Sequence, residues 1–370
     1  MRFLRTTSTA RLLAFVVGIA CLAGATAAIA LAATRQSGSK PAPKPLAQAV
    51  HDALTGPTVP GVNARVKFTN HLIDSSVIPG APPLLTGASG RLWASSDGRV
   101  RLELQSTGGD SQLVFDRGRV MLYDASSNTA YRGQIPIEHK RQRDNGPPSL
   151  AQVQKAIGQA GQHATISGAT PTTAAGQPAY SVRVTPQHGG QVSGAQLVWD
   201  AARGVPLKVA IYARGNSSPV LALTVQKISY GSVPASVFAI SPPKGAHVVD
   251  VTPPADNQSP EKRTALPFKV SAPSQLAGKQ RQSVKRLGSD AALVTYGEGL
   301  DGLAVIERKA GGQSTSLGGA ELPKVSIGGS TGQELPTALG TVVRFSRGGV
   351  DYTVLGSQPA DTVLAAARAL

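Results

Sequence analysis

The stretch of sequence that decides the fold runs from position 99 to position 124, RVRLELQSTGGDSQLVFDRGRVMLYD. Val100, Leu102 and Leu104 alternate there with charged or polar residues, which is the pattern of a β-strand with one face in a core. Two further apolar runs follow in the same stretch, and glycine-containing turns separate the three runs. The stretch therefore predicts three consecutive antiparallel strands.

The same alternation recurs on both sides of this stretch. In residues 62–72, Val, Ala, Phe and Leu occupy one face, whereas Asn, Arg, Lys, Thr and His occupy the other. Further strands are predicted at 180–185, 195–200, 206–213 and 220–230, each bounded by Gly, Pro, Asn or Asp. The strands follow one another along the chain, so the pattern predicts a long antiparallel meander.

Two short helices are predicted to interrupt this meander. Residues 45–55 carry apolar side chains at helical spacing, and Gly56 and Pro57 end the pattern. Ser149 is a suitable N-cap for a second helix over 150–160. Since 41 Gly and 27 Pro exclude long helical bundles, the fold class is predicted to be mainly β (α+β).

The length of 370 residues exceeds the usual size of one hydrophobic core, which favours two domains. Residues 242–265 are rich in Pro and charge, and they suggest either a boundary near 250 or a long loop. Beyond them, short strands and a helix after Pro359 predict a small α+β domain. The predicted segments are a targeting region (1–33), a linker (34–45), the meander (46–249), a second linker (250–265) and a small C-terminal domain (266–370).

The N-terminus has the layout of an export signal or a membrane anchor. Residues 12–33 are uncharged and follow three arginines, so the positive end should stay in the cytoplasm and the rest be exported. Small residues at 28–33 would permit cleavage, and a lipoprotein acylated at Cys21 is a third option. The protein is thus expected at the extracytoplasmic face of the membrane if anchored, or secreted or periplasmic if cleaved.

The chain is strongly basic, with a formal net charge of +16. Without the three N-terminal arginines, 34 basic residues stand against 21 acidic ones, or +13. This excess favours anionic surfaces such as lipid headgroups, cell-wall polymers or nucleic acid. Aromatic residues make up only 4% of the chain, which argues against a surface that reads nucleic-acid bases.

The motifs of catalysis and metal binding are weak. Residues 328–332 match G-x-S-x-G, but a nucleophile of that type needs a later histidine and the last one is His247. The glycine spacing of residues 297–302 is interpreted as a turn. The six histidines are scattered and Cys21 is the only cysteine, so neither a metal nor a cofactor is predicted. The sequence indicates a protein that is not an enzyme, and a hydrolase is the least favoured alternative.

Two stretches carry a family resemblance. Residues 90–124 contain the strand-turn-strand runs GRLW, RVRLE, FDRG and MLYD, and residues 197–245 contain LVWD, PLKV and a closing F-x-x-x-P-P-x-G segment. Over residues 45–250 the chain resembles the LolA/RseB-like family, periplasmic lipoprotein carriers and their MucB-like sensor relatives. The remainder resembles a small C-terminal module of unknown function.

The resemblance implies a curved, incomplete antiparallel barrel, here called a half-barrel, which is partly covered by helices and has an apolar concavity for acyl chains. The expected function is extracytoplasmic binding of lipid or an acylated lipoprotein by a carrier-like protein. The alternative is an RseB/MucB-like envelope sensor or regulator that binds a membrane-bound anti-sigma factor or another protein.

The alternating pattern agrees with a concavity, because only two short helices are available to cover one apolar sheet face. A buried tail of ~12 to 16 methylenes would gain on the order of 10 kcal/mol before ordering costs. A cavity of several hundred Å³ would be the expected scale. Alternatively, the second domain or tighter closure of the sheet fills this face.

Ten apolar residues are predicted by alternation to face the concavity: Val66, Phe68, Leu102, Leu104, Leu113, Phe115, Leu122, Val182, Val184 and Val209. Five basic residues are predicted as a rim that meets lipid phosphates, with a solvated rim as an equal interpretation: Arg99, Arg101, Lys140, Arg141 and Arg143.

Overall fold

The structure is a computed structural model that describes seven ranges of the chain, namely 39–73, 87–107, 109–134, 147–239, 241–251, 266–311 and 322–370. Strands account for 52% of it and helices for 13%, which confirms the mainly β fold class. No helix in the described ranges is long and apolar enough to cross a membrane. The predicted targeting segment 1–33 and its Cys21 lie outside these ranges.

The described ranges contain three short α-helices, and each was predicted from the sequence: α1 (Leu46–Thr55), α2 (Leu150–Gly161) and α3 (Ala360–Arg368). Helix α2 begins with a capping box. The Ser149 hydroxyl accepts the backbone N–H of Gln152, and the Gln152 side chain accepts the backbone N–H of Ser149. Two otherwise unpaired N–H groups are thereby satisfied, which fixes where the helix starts.

In the described residues the first sheet has thirteen strands: β1 (Gly61–Asn70), β2 (Ala88–Ser95), β3 (Val100–Ser106), β4 (Gly109–Asp116), β5 (Arg119–Asp124), β6 (Thr129–Gln134), β7 (Ala164–Ile166), β8 (Thr170–Ala174), β9 (Gln177–Pro186), β10 (Val192–Asp200), β11 (Pro206–Ala213), β12 (Leu221–Tyr230) and β13 (His247–Val251). Their order across the sheet is β13-β6-β5-β4-β3-β2-β1-β12-β11-β10-β9-β7, and β8 also pairs with β9. Strand β13 runs parallel to β6, whereas the other pairs are antiparallel.

The first sheet is strongly curved, which confirms the predicted half-barrel. The register shift opposite Arg65 and Val66 leaves one extra residue in β12, Gln226, and the shift opposite Val198 and Trp199 leaves one in β11, Leu207. Extra residues of this kind bend the strands that carry them. At Gly90 in β2, an added Cβ would lie 1.7 Å from the carbonyl oxygen of Glu103 in β3. Only glycine fits there, so this residue permits the close approach of two neighbouring strands.

The second sheet has eight strands within the described ranges: β14 (Gln275–Leu276), β15 (Lys279–Leu287), β16 (Ala291–Tyr296), β17 (Leu303–Lys309), β18 (Lys324–Ile327), β19 (Ser330–Thr337), β20 (Gly340–Arg347) and β21 (Val350–Gly356). Their order is β14-β15-β16-β17-β21-β20-β19-β18, with α3 packed on β20 and β21. Val294, Val305 and Val354 are fully buried in its core. Gly328 and Gly329, which belong to the G-x-S-x-G match, both have positive φ and form the tight turn between β18 and β19.

Each sheet takes its strands from one side of residues 252–265, and the two sheets are in contact. The backbone N–H of Ala338, in the turn between β19 and β20, donates to the carbonyl of Leu72 at 2.8 Å. Leu339 in the same turn packs against the apolar core of the first sheet. The Gln191 N–H donates to the Ser357 carbonyl at 2.8 Å. The division into domains at 250–265 stays a prediction.

Strand β13 lies within the Pro- and charge-rich stretch that the sequence predicted as a boundary or loop. It carries Val248, Val249 and Val251, which favour strands. Its partner β6 is more than a hundred residues earlier in the chain, and a parallel pairing over such a distance leaves no local signal. The first sheet therefore extends to Val251, two residues into the predicted linker.

Candidate functional site

Two rows of cross-strand neighbours cross the half-barrel from β1 to β13. Directly paired residues share one face of a sheet, and we call this face the inner face and the rows the inner rows. The first row is Ala64, Leu92, Leu102, Leu113, Leu122, Tyr131 and Val249. The second row is Val62, Ala94, Val100, Phe115, Val120, Gly133 and Val251.

The exposure of the inner rows rises from one end to the other. Near β1, Val62 is 8% exposed and Ala64 is 2% exposed. Near β13, Tyr131 and Val251 are both 40% exposed. We call the partly exposed end the exposed wall, which consists of Leu113, Phe115, Val120, Leu122, Tyr131, Val249 and Val251.

The structure divides the ten predicted concavity residues into two groups. Five are buried in the core: Val66, Phe68, Leu102, Leu104 and Val182. The other five are partly buried: Leu113, Phe115, Leu122, Val184 and Val209. Contact of these ten residues with a ligand stays a prediction.

Three of the partly buried residues, Leu113, Phe115 and Leu122, come together on β4 and β5. Val184 and Val209 lie on β9 and β11, on the other side of β1. Val182 packs in the cluster that α1 covers through Ala49. The predicted set therefore does not form one surface, and its contiguous exposed part is on β4 and β5.

Sequence reasoning missed four members of the exposed wall: Val120, Tyr131, Val249 and Val251. Val120 could have been found, because it alternates with Leu122 in an apolar run that was recognised as a strand. Tyr131 and the two valines lie on β6 and β13, which were not predicted. Locating them requires the pairing of β13 with β6.

The predicted rim residue Arg101 lies on the outer face, opposite the inner rows. Its cross-strand neighbours there are Trp93 and Val114. The guanidinium donates to the carbonyl of Val237 at 2.9 Å, pairs with Glu103, and lies 5.3 Å from the centre of the Trp93 ring. These contacts hold the segment after β12 against the outer face.

Arg99 makes similar contacts on the outer face. It pairs with Asp97 at 2.9 Å and lies 4.8 Å from the centre of the Phe238 ring. Hydrogen bonds from Arg99 and Ser95 hold the pKa of the Asp97 carboxyl well below its usual range. Lys140, Arg141 and Arg143 lie outside the described residues. Phosphate binding by these five basic residues stays a prediction.

Two small cavities lie beside Tyr230, away from the exposed wall. One of about 190 Å³ is bounded by Asn63, Trp93, residues 229–234 and Val237. The other, of about 170 Å³, is bounded by residues 57–60, Arg203, Tyr230 and Gly231. None of the ten predicted concavity residues lines either cavity. Both volumes are below the several hundred Å³ expected for a pocket that encloses a small-molecule ligand.

The polar group beside these cavities is internally satisfied. The Tyr230 hydroxyl donates to the buried Asp200 carboxylate at 2.6 Å, and burial together with this bond raises the pKa of Tyr230. Asp200 also accepts the backbone N–H groups of Ala202 and Arg203. The arrangement stabilises the turn after β10. In the described ranges, no group of three or more His, Cys, Asp or Glu side chains could hold a metal ion.

Comparisons with known proteins give a distant likeness. No protein-family model matches the sequence, and no curated protein matches it. The chain is similar to MucB in complex with MucA(peri), with a TM-score of 0.42 and 18% identity over 87% of this chain and 94% of that chain. The Pseudomonas aeruginosa MucA/MucB complex gives a TM-score of 0.41 and 18% identity over the same shares.

A conserved protein from Thermus thermophilus gives a TM-score of 0.34 and 13% identity over 55% of this chain and 99% of that chain. These likenesses have TM-scores below 0.5 and identities below 20%. They identify no ligand and no partner for this chain.

Proposed function

We propose that this protein is an extracytoplasmic binding protein of the sensor or regulator type, and that it binds a protein partner through the exposed wall and strand β13. The observation that carries the proposal is the change in exposure along the inner rows, from 2% at Ala64 to 40% at Tyr131 and Val251. Side chains of this type in partial contact with water form a surface that a partner can cover.

The exposed wall is continuous over four neighbouring strands, β4, β5, β6 and β13. With a strand spacing of about 4.8 Å, the wall extends roughly 14 Å across the sheet. A wall of this size can be covered by a few apolar side chains of a partner, which is the usual form of a small protein-binding site. The opposite face of these strands carries polar pairs such as Arg132 with Asp250.

Strand β13 adds a second recognition element. It pairs with β6 on one side, and no strand of the described residues pairs with its other side. An edge of this kind offers unpaired N–H and C=O groups to an incoming strand. The strand contains no Lys and no Pro, two residues that commonly protect such edges. A partner strand added here would place alternate side chains beside Val249 and Val251.

Two features of the sequence support one class of partner. The predicted export segment would place the described residues outside the cytoplasm, and the partner would then present its segment there. The resemblance to RseB implies a membrane-bound anti-sigma factor. We therefore propose the extracytoplasmic segment of a membrane-bound regulatory protein as the partner.

A lipid or an acylated lipoprotein is the second candidate ligand. It is favoured by the aliphatic and aromatic character of Leu113, Phe115 and Leu122, which suits an acyl chain. However, the two small cavities beside Tyr230 are not lined by these residues, and a chain laid on an open wall keeps one side in water. A protein partner would cover the exposed wall on the side that faces water, so the geometry favours a protein partner over a lipid.

Site-specific photo-crosslinking of the full chain in its own cells tests the proposal. A photo-reactive phenylalanine analogue is placed at position 131, or at position 284 as the control, because Val284 is 48% exposed and lies on the second sheet. We expect a protein adduct from position 131 and none from position 284, with mass spectrometry identifying a membrane protein. A lipid adduct alone would favour the carrier function. Equal adducts at both positions, or none at 131, would contradict the proposal.

A further inference from the structure

The outer face of the half-barrel carries an unusual concentration of positive charge. Strands β11, β12, β1 and β2 are adjacent in the sheet, and their sequences contain no Asp and no Glu. They carry five basic residues, which we call the basic face: Lys208, Lys227, Arg65, Lys67 and Arg91. Four of them are exposed and Lys208 is partly buried.

The basic face places like charges directly opposite one another. Arg65 pairs in register with Lys227 on one side and with Arg91 on the other. Lys67 and Lys208 lie opposite the two sides of Thr224. Like charges on opposed residues destabilise a sheet. Stability of the fold therefore gives no reason for this row of cations.

Among the described residues, no acidic side chain neutralises these cations. None of the five residues forms an ion pair with another residue in the part of the chain that the structure describes. Arg91 lies opposite Glu103, but the carboxylate of Glu103 already bonds with Arg101 and with Gln112. The charge of the basic face is therefore available to an external anion.

We propose that the basic face docks on an anionic lipid surface. Two observations support this occupant. The first is charge complementarity, since five cations lie within roughly 14 Å on four strands and face phosphate-bearing headgroups together. The second is the length of the chain that precedes the fold. If residues 12–33 stay in the membrane, residues 34–45 reach at most about 40 Å, which keeps the basic face close to that membrane.

The contact is electrostatic and superficial. The four strands present no large hydrophobic side chain among the exposed ones of the described residues, and Trp93 lies beneath the guanidinium of Arg101. Headgroups would therefore be met without insertion into the acyl region. Since the exposed wall is on the opposite face, docking in this orientation leaves the wall directed away from the membrane.

Lysine footprinting of the full chain in lipid nanodiscs tests the proposal. The nanodiscs contain phosphatidylcholine alone, or phosphatidylcholine with about one third phosphatidylglycerol as the anionic lipid. Acetylation of Lys67 and Lys227 is compared with that of Lys155 and Lys244, which are exposed on other elements. We expect the first pair to be protected in anionic nanodiscs and the second pair to react equally in both. Equal reactivity of Lys67 in the two lipids would overturn the proposal.

A pair of double variants controls for total charge. Arg65→Gln/Arg91→Gln removes two cations of the basic face and keeps both lysine reporters, whereas Lys155→Gln/Lys244→Gln removes the same charge elsewhere. Because each cation near an anionic surface strengthens binding roughly fivefold, the first variant should lose its protection and the second should keep it. Equal loss in both variants would contradict a local docking face. Protection by soluble polyphosphate but not by anionic nanodiscs would also overturn the membrane assignment.

Discussion

Near β1 the inner rows are closed over by other parts of the chain, whereas near β13 the same kinds of residue remain partly in contact with water. Val62 and Ala64 belong to a core that also includes Leu72 and Val225. Leu339 from the second sheet packs against that core. At the other end, Tyr131 and Val251 have no comparable cover in the described part of the chain.

The comparison separates two roles for one pattern of residues. An apolar row stabilises the fold where other elements cover it, and it offers a binding surface where they do not. Since the two ends are joined by continuous cross-strand pairs, the difference does not come from the strands themselves. The difference comes from the other elements that pack against the strands near β1.

The largest expected effect concerns the covered part of the inner face, beside the inner rows. Leu104 is 2% exposed, so Leu104→Ala leaves a cavity in the core and should lower the free energy of unfolding by about 3 kcal/mol. Leu122→Ala, in the exposed wall, should cost about 1 kcal/mol because water already reaches the site. Urea unfolding measures both. Equal losses would contradict the division between a core end and an exposed end.

A smaller effect is expected where the second sheet covers the first. Leu339→Ser removes an apolar contact with the core around Leu72 and should lower the free energy of unfolding by about 1 kcal/mol. It should also increase binding of an apolar fluorescent dye. Val284→Ser is the matched control, because Val284 is exposed and makes no such contact. If the two variants behave alike, Leu339 does not contribute to the cover.

The smallest effect concerns the outer face of β1. Arg65→Thr removes repulsion from Lys227 and Arg91 and should raise the free energy of unfolding by about 0.5 kcal/mol at low salt. High salt should abolish the gain, because it screens exposed charges. Arg132→Thr removes a cation paired with Asp250 and should not stabilise. Stabilisation by Arg132→Thr of the same size would show that general net charge is responsible.

Much of the fold follows from local patterns in the sequence. The alternation around Val66 and Leu102 identifies β1 and β3, and Ser149 marks the start of α2. The same alternation sends Arg99 and Arg101 to the outer face, away from any ligand on the inner face. That consequence could have been drawn from the sequence, because both arginines alternate with residues that were predicted to face inward.

The cover of the inner face could not be predicted in the same way. Alternation identifies which side chains share a face, but burial of Val66 and exposure of Tyr131 depend on contacts between distant parts of the chain. Two such contacts are the pairing of β13 with β6 and the insertion of Leu339. Both join segments that are more than a hundred residues apart, so no short stretch of sequence contains the information.

Strand β13 is both the margin of the first sheet and the last described element before the chain passes to the second. A partner that binds this edge therefore contacts the last described residues of the first sheet. A bound strand would pair with the free side of β13 and restrain the position of β13. Occupancy of this edge would then add hydrogen bonds to the last described residues of the first sheet, His247–Val251.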